Sequence, residues 1–404
     1  MTASTADAAA VAVPSPRLIV PALGITQILA WGSTYYLLSV LAKPIAADTG
    51  WPLAWIIAGL SLGLLIAGLA SPVVGRQIHR RGGRPVLAAS AVLMGIGLLG
   101  LAASRSLPMF IAAWIAIGLG MGAGLYDAAF STLGRLYGQA ARHHITTLTL
   151  FGGLASTACW PLSAFLLSEL GWRGACVTYA AIQLLFSLPV YLLAISDRHA
   201  PSWHAADKSA VAVAHSPRRT RAIFILLATT IMIGSTLSAV MSVHLLNMLQ
   251  AHGIALAAAV ALGAMVGPSQ VGARFIEMLV SRYHHPIWTK LTSVSLVALG
   301  IGLFWAGIPI TAMALILYGA GIGLESIARA TLPLALFGAA NYAPIMGRIA
   351  MPSLIAQAAA PSVGAVLIQW FGIESALGAI VAVALANVAL VMGLLAITAR
   401  QRRG

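Results

Sequence analysis

The feature that most limits how this chain can fold is a series of long apolar runs that charged residues scarcely interrupt. Only 8% of the 404 residues are charged and 60% are hydrophobic, whereas soluble domains usually carry about 25% charged residues. A helix that crosses a bilayer needs roughly 20 apolar residues in succession. The sequence therefore excludes a soluble globular protein and predicts an all-α membrane protein.

Twelve apolar runs are long enough to span a membrane. The predicted spans are 18–42, 53–76, 85–104, 108–136, 145–169, 173–195, 222–249, 255–280, 287–306, 309–336, 344–370 and 373–398. The longest polar stretch divides them six and six. The predicted organisation is a disordered tail (1–17), a first six-helix half (18–195), a linker (196–221), a second six-helix half (222–398) and a second tail (399–404).

The net charge of +14 is distributed unevenly along the chain. Lys43, Arg105 and Arg173 lie on one predicted side of the membrane, and most other Lys and Arg residues lie on the opposite side. Because basic loops stay on the cytoplasmic side, both termini and the linker are predicted to be cytoplasmic, in a protein of the cytoplasmic membrane. The basic excess is thus explained by topology, and no nucleic-acid partner is expected.

The two halves resemble each other at an offset near 200 residues. The sequence GAGLY at Gly122–Tyr126 matches GIGLE at Gly321–Glu325, and Pro161 matches Pro361. Repeated six-helix halves are typical of transporters that place their substrate site at the interface of the halves, near the middle of the bilayer. The repeat therefore predicts a pseudo-symmetric transporter.

The stretch GRQIHRRGGR, in the loop after the second predicted span, resembles the loop signature G-x-x-x-D-R-x-G-R of the major facilitator superfamily. The resemblance implies twelve helices in two halves and a cytoplasmic gate at this loop. The implied gate residues are Gly75, His79, Arg80, Gly82 and Arg84. His79 stands where the signature has aspartate and cannot provide a negative charge. We therefore expect a weakened cytoplasmic closure and a resting state that is open to the cytoplasm.

Three further stretches are similar to the monocarboxylate transporter and oxalate/formate antiporter group. They are WGSTYYLLSVLAKPIAADTGW from Trp31, LGWR from Leu170 and ARFIEMLVSRYHHP from Ala273. In that group an arginine on the eighth helix binds the substrate carboxylate, and Arg274 falls on that position. The acid that lies one turn earlier in monocarboxylate carriers is Gln270 here, so the resemblance does not imply their proton site.

Ionisable residues within membrane spans are costly and therefore candidates for function. Five such residues of the predicted spans are the candidates: Asp127, Arg274, Glu277, Glu325 and Arg329. Gln270, Arg274 and Glu277 share one face of the eighth span because they follow i, i+4, i+7 spacing. A guanidinium can hold a carboxylate with two parallel hydrogen bonds, which favours Arg274 as the substrate anchor. A structural pair with Glu277, or a role in gating, is the alternative.

Proton coupling has three candidates, Asp127, Glu325 and Glu277. Glu325 and Arg329 have the i, i+4 order of an intrahelical ion pair, and protonation of Glu325 would release Arg329 for substrate. Asp127 has no cationic neighbour within a helical turn. Asp127 either forms a structural pair with a residue of another helix, or it takes up a proton or faces the substrate.

The remaining candidates would line the cavity and contact substrate. Gln27, Trp31 and Tyr35 recur at i, i+4, i+8 and form either a polar and aromatic wall or ordinary core packing. The other substrate-binding candidates are Tyr126, His244 and Asn247. A lone histidine such as His244 is also compatible with a simple structural hydrogen bond.

No metal or cofactor is expected. The sequence lacks the nucleotide-binding signature G-x-x-x-x-G-K-[ST], so an ion gradient is the expected energy source. The sequence favours a monomeric secondary transporter, not an enzyme, that moves a small organic anion together with protons. A proton-antiport exporter of drugs or cationic metabolites, or a transporter-like sensor without flux, is the alternative.

Overall fold

The computed structural model describes residues 15–195 and 217–399. The described residues are almost entirely helical, and none of them forms a strand. Most of the predicted tails and linker lies outside the described residues. At the edges of those segments, the first helix already begins at Pro16, and Pro217 to Arg221 are helical.

Helices make up both halves. Those of the first half are α1 (Pro16–Ser33), α2 (Leu37–Thr49), α3 (Leu53–Arg81), α4 (Gly83–Ala103), α5 (Leu107–Gly124), α6 (Tyr126–Tyr137), α7 (Ala141–Gly153), α8 (Ala155–Ala181) and α9 (Leu188–Ala194). Those of the second half are α10 (Pro217–Ala251), α11 (Leu256–Ala264), α12 (Val266–Val280), α13 (Pro286–Trp305) and α14 (Thr311–Ala399). Eight continuous helical stretches in the described chain are long and apolar enough to cross a membrane.

The longest helix, α14, is a chain of three limbs. Its backbone leaves the helical conformation at Gly338 (φ 73°) and Gly372 (φ 79°), which separate the limbs 311–337, 339–371 and 373–399. Gly171 (φ 67°) divides α8 in the same way. Glycine is needed at such points because a side chain disfavours positive φ. These breaks fall between predicted spans, so continuous helices alone do not set the number of crossings.

Several predicted spans are each divided between helices. In the spans 145–169 and 255–280 the backbone stays right-handed helical at the dividing residues Leu154 and Met265, whereas in two others it leaves the helical conformation. The span 18–42 unwinds between α1 and α2, where Thr34 has φ −126° and ψ −80°. The span 108–136 breaks at Leu125, which has an extended backbone (ψ −169°). The latter break follows the glycine-rich end of α5, and glycine has a low helix propensity. The break frees backbone groups in the interior, where side chains can bind them.

The two halves touch where α3 crosses the middle limb of α14. A side chain added at Gly75 would meet the backbone of Ala343, and its Cβ would lie 3.2 Å from the Cα of Gly347. Glycines on both helices thus permit contact between the two backbones.

Packing between the halves is concentrated at one end of the bundle, which we call the basic end. It carries His79, Arg135 and Arg142 and is the end predicted to be cytoplasmic. A buried apolar cluster there includes Phe130 and Leu133 from the first half. The cluster members from the second half are Ala330, Leu334, Ala339, Tyr342, Ala343 and Met346. In this structure the two halves are therefore packed together at the basic end, and the resting state expected from His79 stays a prediction.

Candidate functional site

A cavity lies at the interface of the halves. It has about 480 Å³ of space not filled by atoms, including the solvent at its mouth. Its lining residues are Trp31, Leu64, Ala67, Met121, Gly122, Leu125, Tyr126, Asp127, Arg329, Leu354 and Gln357. Helices α1, α3, α5 and α6 supply one wall, and the first two limbs of α14 supply the other. Four of the sequence candidates, Trp31, Tyr126, Asp127 and Arg329, meet here.

An ion pair between the halves forms part of the cavity wall. Asp127 follows the break at Leu125, and its two oxygens lie 3.0 and 2.7 Å from Nη2 of Arg329. Asp127 thus finds its cation on another helix. The Nε of Arg329 is buried and has no hydrogen-bond partner in the part of the chain that the structure describes. One edge of this guanidinium is therefore unoccupied while Asp127 holds another.

A second buried ion pair replaces the intrahelical pair that we expected between Glu325 and Arg329. Glu325 pairs with Lys290 of α13, a side chain that is 0% exposed. The Lys290 ammonium also donates to the carbonyl of Thr230 at 3.3 Å, and the hydroxyl of Ser293 donates to Glu325 at 2.9 Å. The expectation fails because each member of the i, i+4 pair has a partner on a different helix.

Arg274 in α12 is 7% exposed and makes three polar contacts. Its Nε donates to the carbonyl of Gly323 (3.4 Å), Nη1 to the carbonyl of Thr149 (3.1 Å), and Nη2 to the side-chain oxygen of Gln270 (3.4 Å). No carboxylate of the described residues lies within 4.0 Å of it. Arg274 is therefore a buried cation held by neutral acceptors.

Glu277, three residues after Arg274, does not form the alternative structural pair with it. Its Oε1 accepts a hydrogen bond from Thr289 (2.7 Å), and its Oε2 lies 3.5 Å from Nε2 of His284. The backbone carbonyl of His284 in turn accepts a hydrogen bond from Nη1 of Arg142 in the first half, at 2.8 Å. Glu277 thus belongs to the basic end and does not line the cavity.

The Arg274 side chain is connected to the cavity wall through α7. The Tyr126 hydroxyl donates to the same Thr149 carbonyl as Arg274, at 3.4 Å. Gly152 and Gly153 leave room for these two side chains, because a Cβ at either position would overlap Tyr126 or the Arg274 guanidinium. A change in the position of Tyr126 can therefore reach Arg274 directly.

Aromatic side chains surround this point. The ring of Trp31 lies 5.1 Å from that of Tyr126 and 5.3 Å from that of Tyr35. Gln27, one turn before Trp31, donates at 2.6 Å to the carbonyl of Gly124, which precedes the break in the fourth predicted span. Trp31 lines the cavity, whereas Gln27 and Tyr35 lie behind it.

His244 and Asn247 lie away from the cavity. His244 is buried, and its Nε2 lies 2.9 Å from the carbonyl of Pro361, so the structural interpretation of this histidine fits. Asn247 is exposed on α10. Neither residue lines the cavity between the halves.

The residues of the loop signature lie at the basic end. Gly75 lies where α3 comes close to α14, and Gly82 (φ 87°) ends α3 in a conformation that favours glycine. Arg135 donates a hydrogen bond to the backbone carbonyl of His79. Arg80 is exposed and Arg84 is half-buried. The backbone carbonyl of His79 thus accepts a guanidinium hydrogen bond here.

Lys290 and Gln357 were not among the sequence candidates. Lys290 lies four residues inside an apolar run, which was the one available signal. Gln357 carries no charge, so the sequence gave no signal for it. Their roles depend on which helices pack together, and a single sequence does not specify this.

Comparisons with known proteins agree with this architecture. Residues 23–343 match the sequence profile of the Major Facilitator Superfamily. Mouse monocarboxylate transporter 11 is 32% identical over 142 residues, which are 34% of this chain and 30% of that protein. The chain thus matches about a third of this relative's length.

Solved structures share the fold across nearly the whole chain. The human organic anion transporter MFSD10 (TETRAN) has a TM-score of 0.71 at 17% identity, with 94% of this chain and 100% of that chain covered. The proton:xylose symporter XylE has a TM-score of 0.71 at 13% identity, with 93% of this chain and 94% of that chain covered. The E. coli fucose:proton symporter FucP has a TM-score of 0.68 at 12% identity, covering 93% and 99%.

Proposed function

The chain belongs to the major facilitator superfamily, and on this basis we propose that it carries a small monocarboxylate across the cytoplasmic membrane by alternating access. It is a multi-pass membrane transporter and not an enzyme. The finer proposal concerns the charge of the substrate and the coupling ion. We further propose that the basic end faces the cytoplasm, as the positive-inside rule predicts, and that one chain suffices for transport.

The observation that carries the proposal is the buried Arg274, which has no carboxylate partner among residues 15–195 and 217–399. An isolated charge in a medium of low dielectric constant is strongly unfavourable, and an anion that binds beside it relieves this cost. The other cations near the cavity are already neutralised, since Arg329 pairs with Asp127 and Lys290 with Glu325. The site therefore has a net charge of +1, which favours a monoanion over a dianion.

Similarity to named proteins supports the same class of substrate. The mouse relative is a monocarboxylate transporter, and one structural neighbour is an organic anion transporter. The Ala273 stretch resembles the monocarboxylate transporter group, in which an arginine at the position of Arg274 binds the substrate carboxylate. Sequence resemblance and local electrostatics thus favour the same residue.

Proton coupling is proposed at Asp127. While Asp127 is ionised it holds Arg329, and its protonation would release a second guanidinium toward the cavity. The proton would thus provide a second cationic group for the same carboxylate, because a guanidinium released from Asp127 can donate to the bound anion. Substrate and proton would then bind together, as in a symporter. Glu325 and Glu277 are secondary candidates, because each is already bonded within the second half.

Flux through purified protein in liposomes tests this proposal. Labelled acetate and benzoate should enter the vesicles saturably, and an inward proton gradient should accelerate their uptake relative to protein-free liposomes. Uptake or efflux of a cationic dye without carboxylate flux would contradict the proposal and favour the exporter. Carboxylate binding without any flux would favour a sensor.

A further inference from the structure

The lining of the cavity is chemically divided. Charge is confined to the Asp127–Arg329 pair, and Gln357 adds a neutral amide. The rest of the lining is apolar or aromatic and comprises Trp31, Leu64, Ala67, Met121, Gly122, Leu125, Tyr126 and Leu354. A short hydrophilic acid would leave most of this wall without a partner. The division therefore indicates a ligand with one charged group and an apolar body.

Two aromatic rings form part of the apolar wall and are held in place from behind. Trp31 and Tyr126 have ring centroids 5.1 Å apart and an interplanar angle of 55°. Phe130 stacks on Tyr126 at 4.9 Å, and Tyr35 meets Trp31 edge to face at 5.3 Å. The thioether of Met121 belongs to the same wall, and sulfur makes favourable contacts with aromatic rings. Because the rings are fixed before the ligand arrives, little side-chain ordering is needed on binding.

Two buried hydrogen-bond donors on the lining lack acceptors among the described residues. They are the indole N–H of Trp31 and the Nε–H of Arg329. An unsatisfied buried donor is costly, and buried polar groups in native proteins are nearly always bonded. Both donors suit the oxygens of a carboxylate. The same cavity thus offers carboxylate donors and an aromatic wall.

We propose that the preferred substrate is a monocarboxylate with a planar aromatic body, an inference that rests on the proposed function. Its carboxylate accepts hydrogen bonds from the free edge of Arg329 and from the Trp31 indole, when Asp127 is protonated. Its ring packs against Trp31, Tyr126 and Met121. Arg274, behind Tyr126, supplies the uncompensated positive charge that attracts the anion.

Four ligands separate the contribution of the ring from that of the charge. They are benzoate, cyclohexanecarboxylate, benzylamine and cyclohexylmethylamine, with acetate as the minimal acid. Binding to the purified full-length protein is measured by thermal shift, because a ligand of the folded state raises its apparent stability. We expect benzoate to bind roughly 2- to 10-fold more tightly than cyclohexanecarboxylate, as aromatic contacts add to area burial. Neither amine should bind.

The outcomes distinguish the two proposals. Equal binding of the two cyclic acids, or binding of acetate alone, would overturn the aromatic inference and leave the carboxylate carrier intact. Binding of the amines in place of the acids would contradict the proposed function itself. If no acid bound or crossed the membrane, both proposals would fail.

Variants of tryptophan locate the effect. Trp31→Leu should abolish the preference for benzoate, whereas Trp160→Leu should retain it. Trp160 is a matched control because it is 48% exposed and does not line the cavity. Should Trp31→Leu fail to fold, Trp31→Phe keeps a ring and loses the N–H. Trp31→Phe should lower the affinity for both acids about tenfold, because a hydrogen bond to a charged group is lost. The preference for benzoate over cyclohexanecarboxylate should remain. An unchanged affinity in Trp31→Phe would exclude the indole donor.

Discussion

At the scale of single residues, the charges inside the membrane differ in how they are neutralised. Arg329 and Lys290 each have a carboxylate partner, and Arg274 has only neutral acceptors among the described residues. Sequence reasoning identified Arg274, Asp127 and Arg329 because charges in apolar runs are rare. It could not assign partners, because partners on different helices are set by the packing of the helices.

Replacing Arg274 with lysine tests the importance of its planar guanidinium. The ammonium keeps the charge but cannot donate to Gly323, Thr149 and Gln270 from one planar group, so the position of the positive charge behind Tyr126 is no longer fixed. We expect carboxylate affinity to fall about tenfold or more, while the protein still folds. Equilibrium binding of labelled benzoate measures this, with the exposed Arg282→Lys as the control. Equal affinity in Arg274→Lys and the parent would remove Arg274 as the anchor.

Replacing Asp127 with asparagine tests proton coupling. In the parent, an inward proton gradient should drive net uptake, because protonation of Asp127 releases Arg329. In Asp127→Asn the release is permanent, so no proton is needed for it. Proton-driven net uptake should be lost, whereas exchange between preloaded vesicles persists. Asp48→Asn, at a half-exposed carboxylate paired with Arg173, is the control. Loss of uptake and exchange to the same extent would argue against a specific coupling role.

At the scale of helices, the sequence predicted where apolar segments lie but not where they break. The spans 18–42 and 108–136 are each apolar enough to be predicted as one span, yet they unwind near Thr34 and Leu125. Hydropathy reflects the cost of exposing side chains to water. It does not show whether a backbone carbonyl is bonded within its helix or by a side chain of another helix. The acceptor for Gln27 arises from such a break. This local geometry was therefore outside the reach of sequence patterns.

Lys290 of α13 determines how α14 distributes its charges. Without Lys290, the nearest cation on α14 for Glu325 would be Arg329, one turn away on the same helix. Lys290→Met should therefore draw Arg329 from Asp127 and destabilise the protein by about 3–5 kcal/mol, the usual cost of breaking a buried pair. Lys290→Met with Glu325→Gln should recover most of this loss. Chemical denaturation of the parent, of each single variant and of the double variant measures this recovery, and strictly additive effects would contradict the coupling.

At the scale of the whole molecule, fold class and repeat were accessible from sequence because they depend on composition and period. The packing of the two halves at the basic end was not accessible from the sequence. The absence of an acid at position 79 predicted a weak closure at the basic end, and in this structure the two halves are packed together there. Closure depends instead on close backbone approach at Gly75 and Gly347, on an apolar cluster, and on bonds to carbonyls.

A carboxylate at position 79 should strengthen that closure further. His79→Asp places an anion near Arg135, and should shift the population toward the state closed at the basic end. Gly75→Val should shift it the opposite way, because its side chain would meet the backbone of Ala343. Spin-label distances across both ends of the bundle report the two states. The native Cys159 and Cys176 are both buried, which limits background labelling. No shift in His79→Asp, or one toward opening, would refute the electrostatic argument.

The donors that cross between the halves near the basic end reach backbone carbonyls. Gln139 reaches Leu334, Arg142 reaches His284, and Arg274 reaches Thr149. A carbonyl has no net charge, so dissolved salt screens these contacts far less than it screens an exposed ion pair. Every residue supplies such an acceptor, so substitutions on the accepting helix leave it in place. The stability of the closed form should thus depend little on salt concentration and on substitutions in the accepting helices.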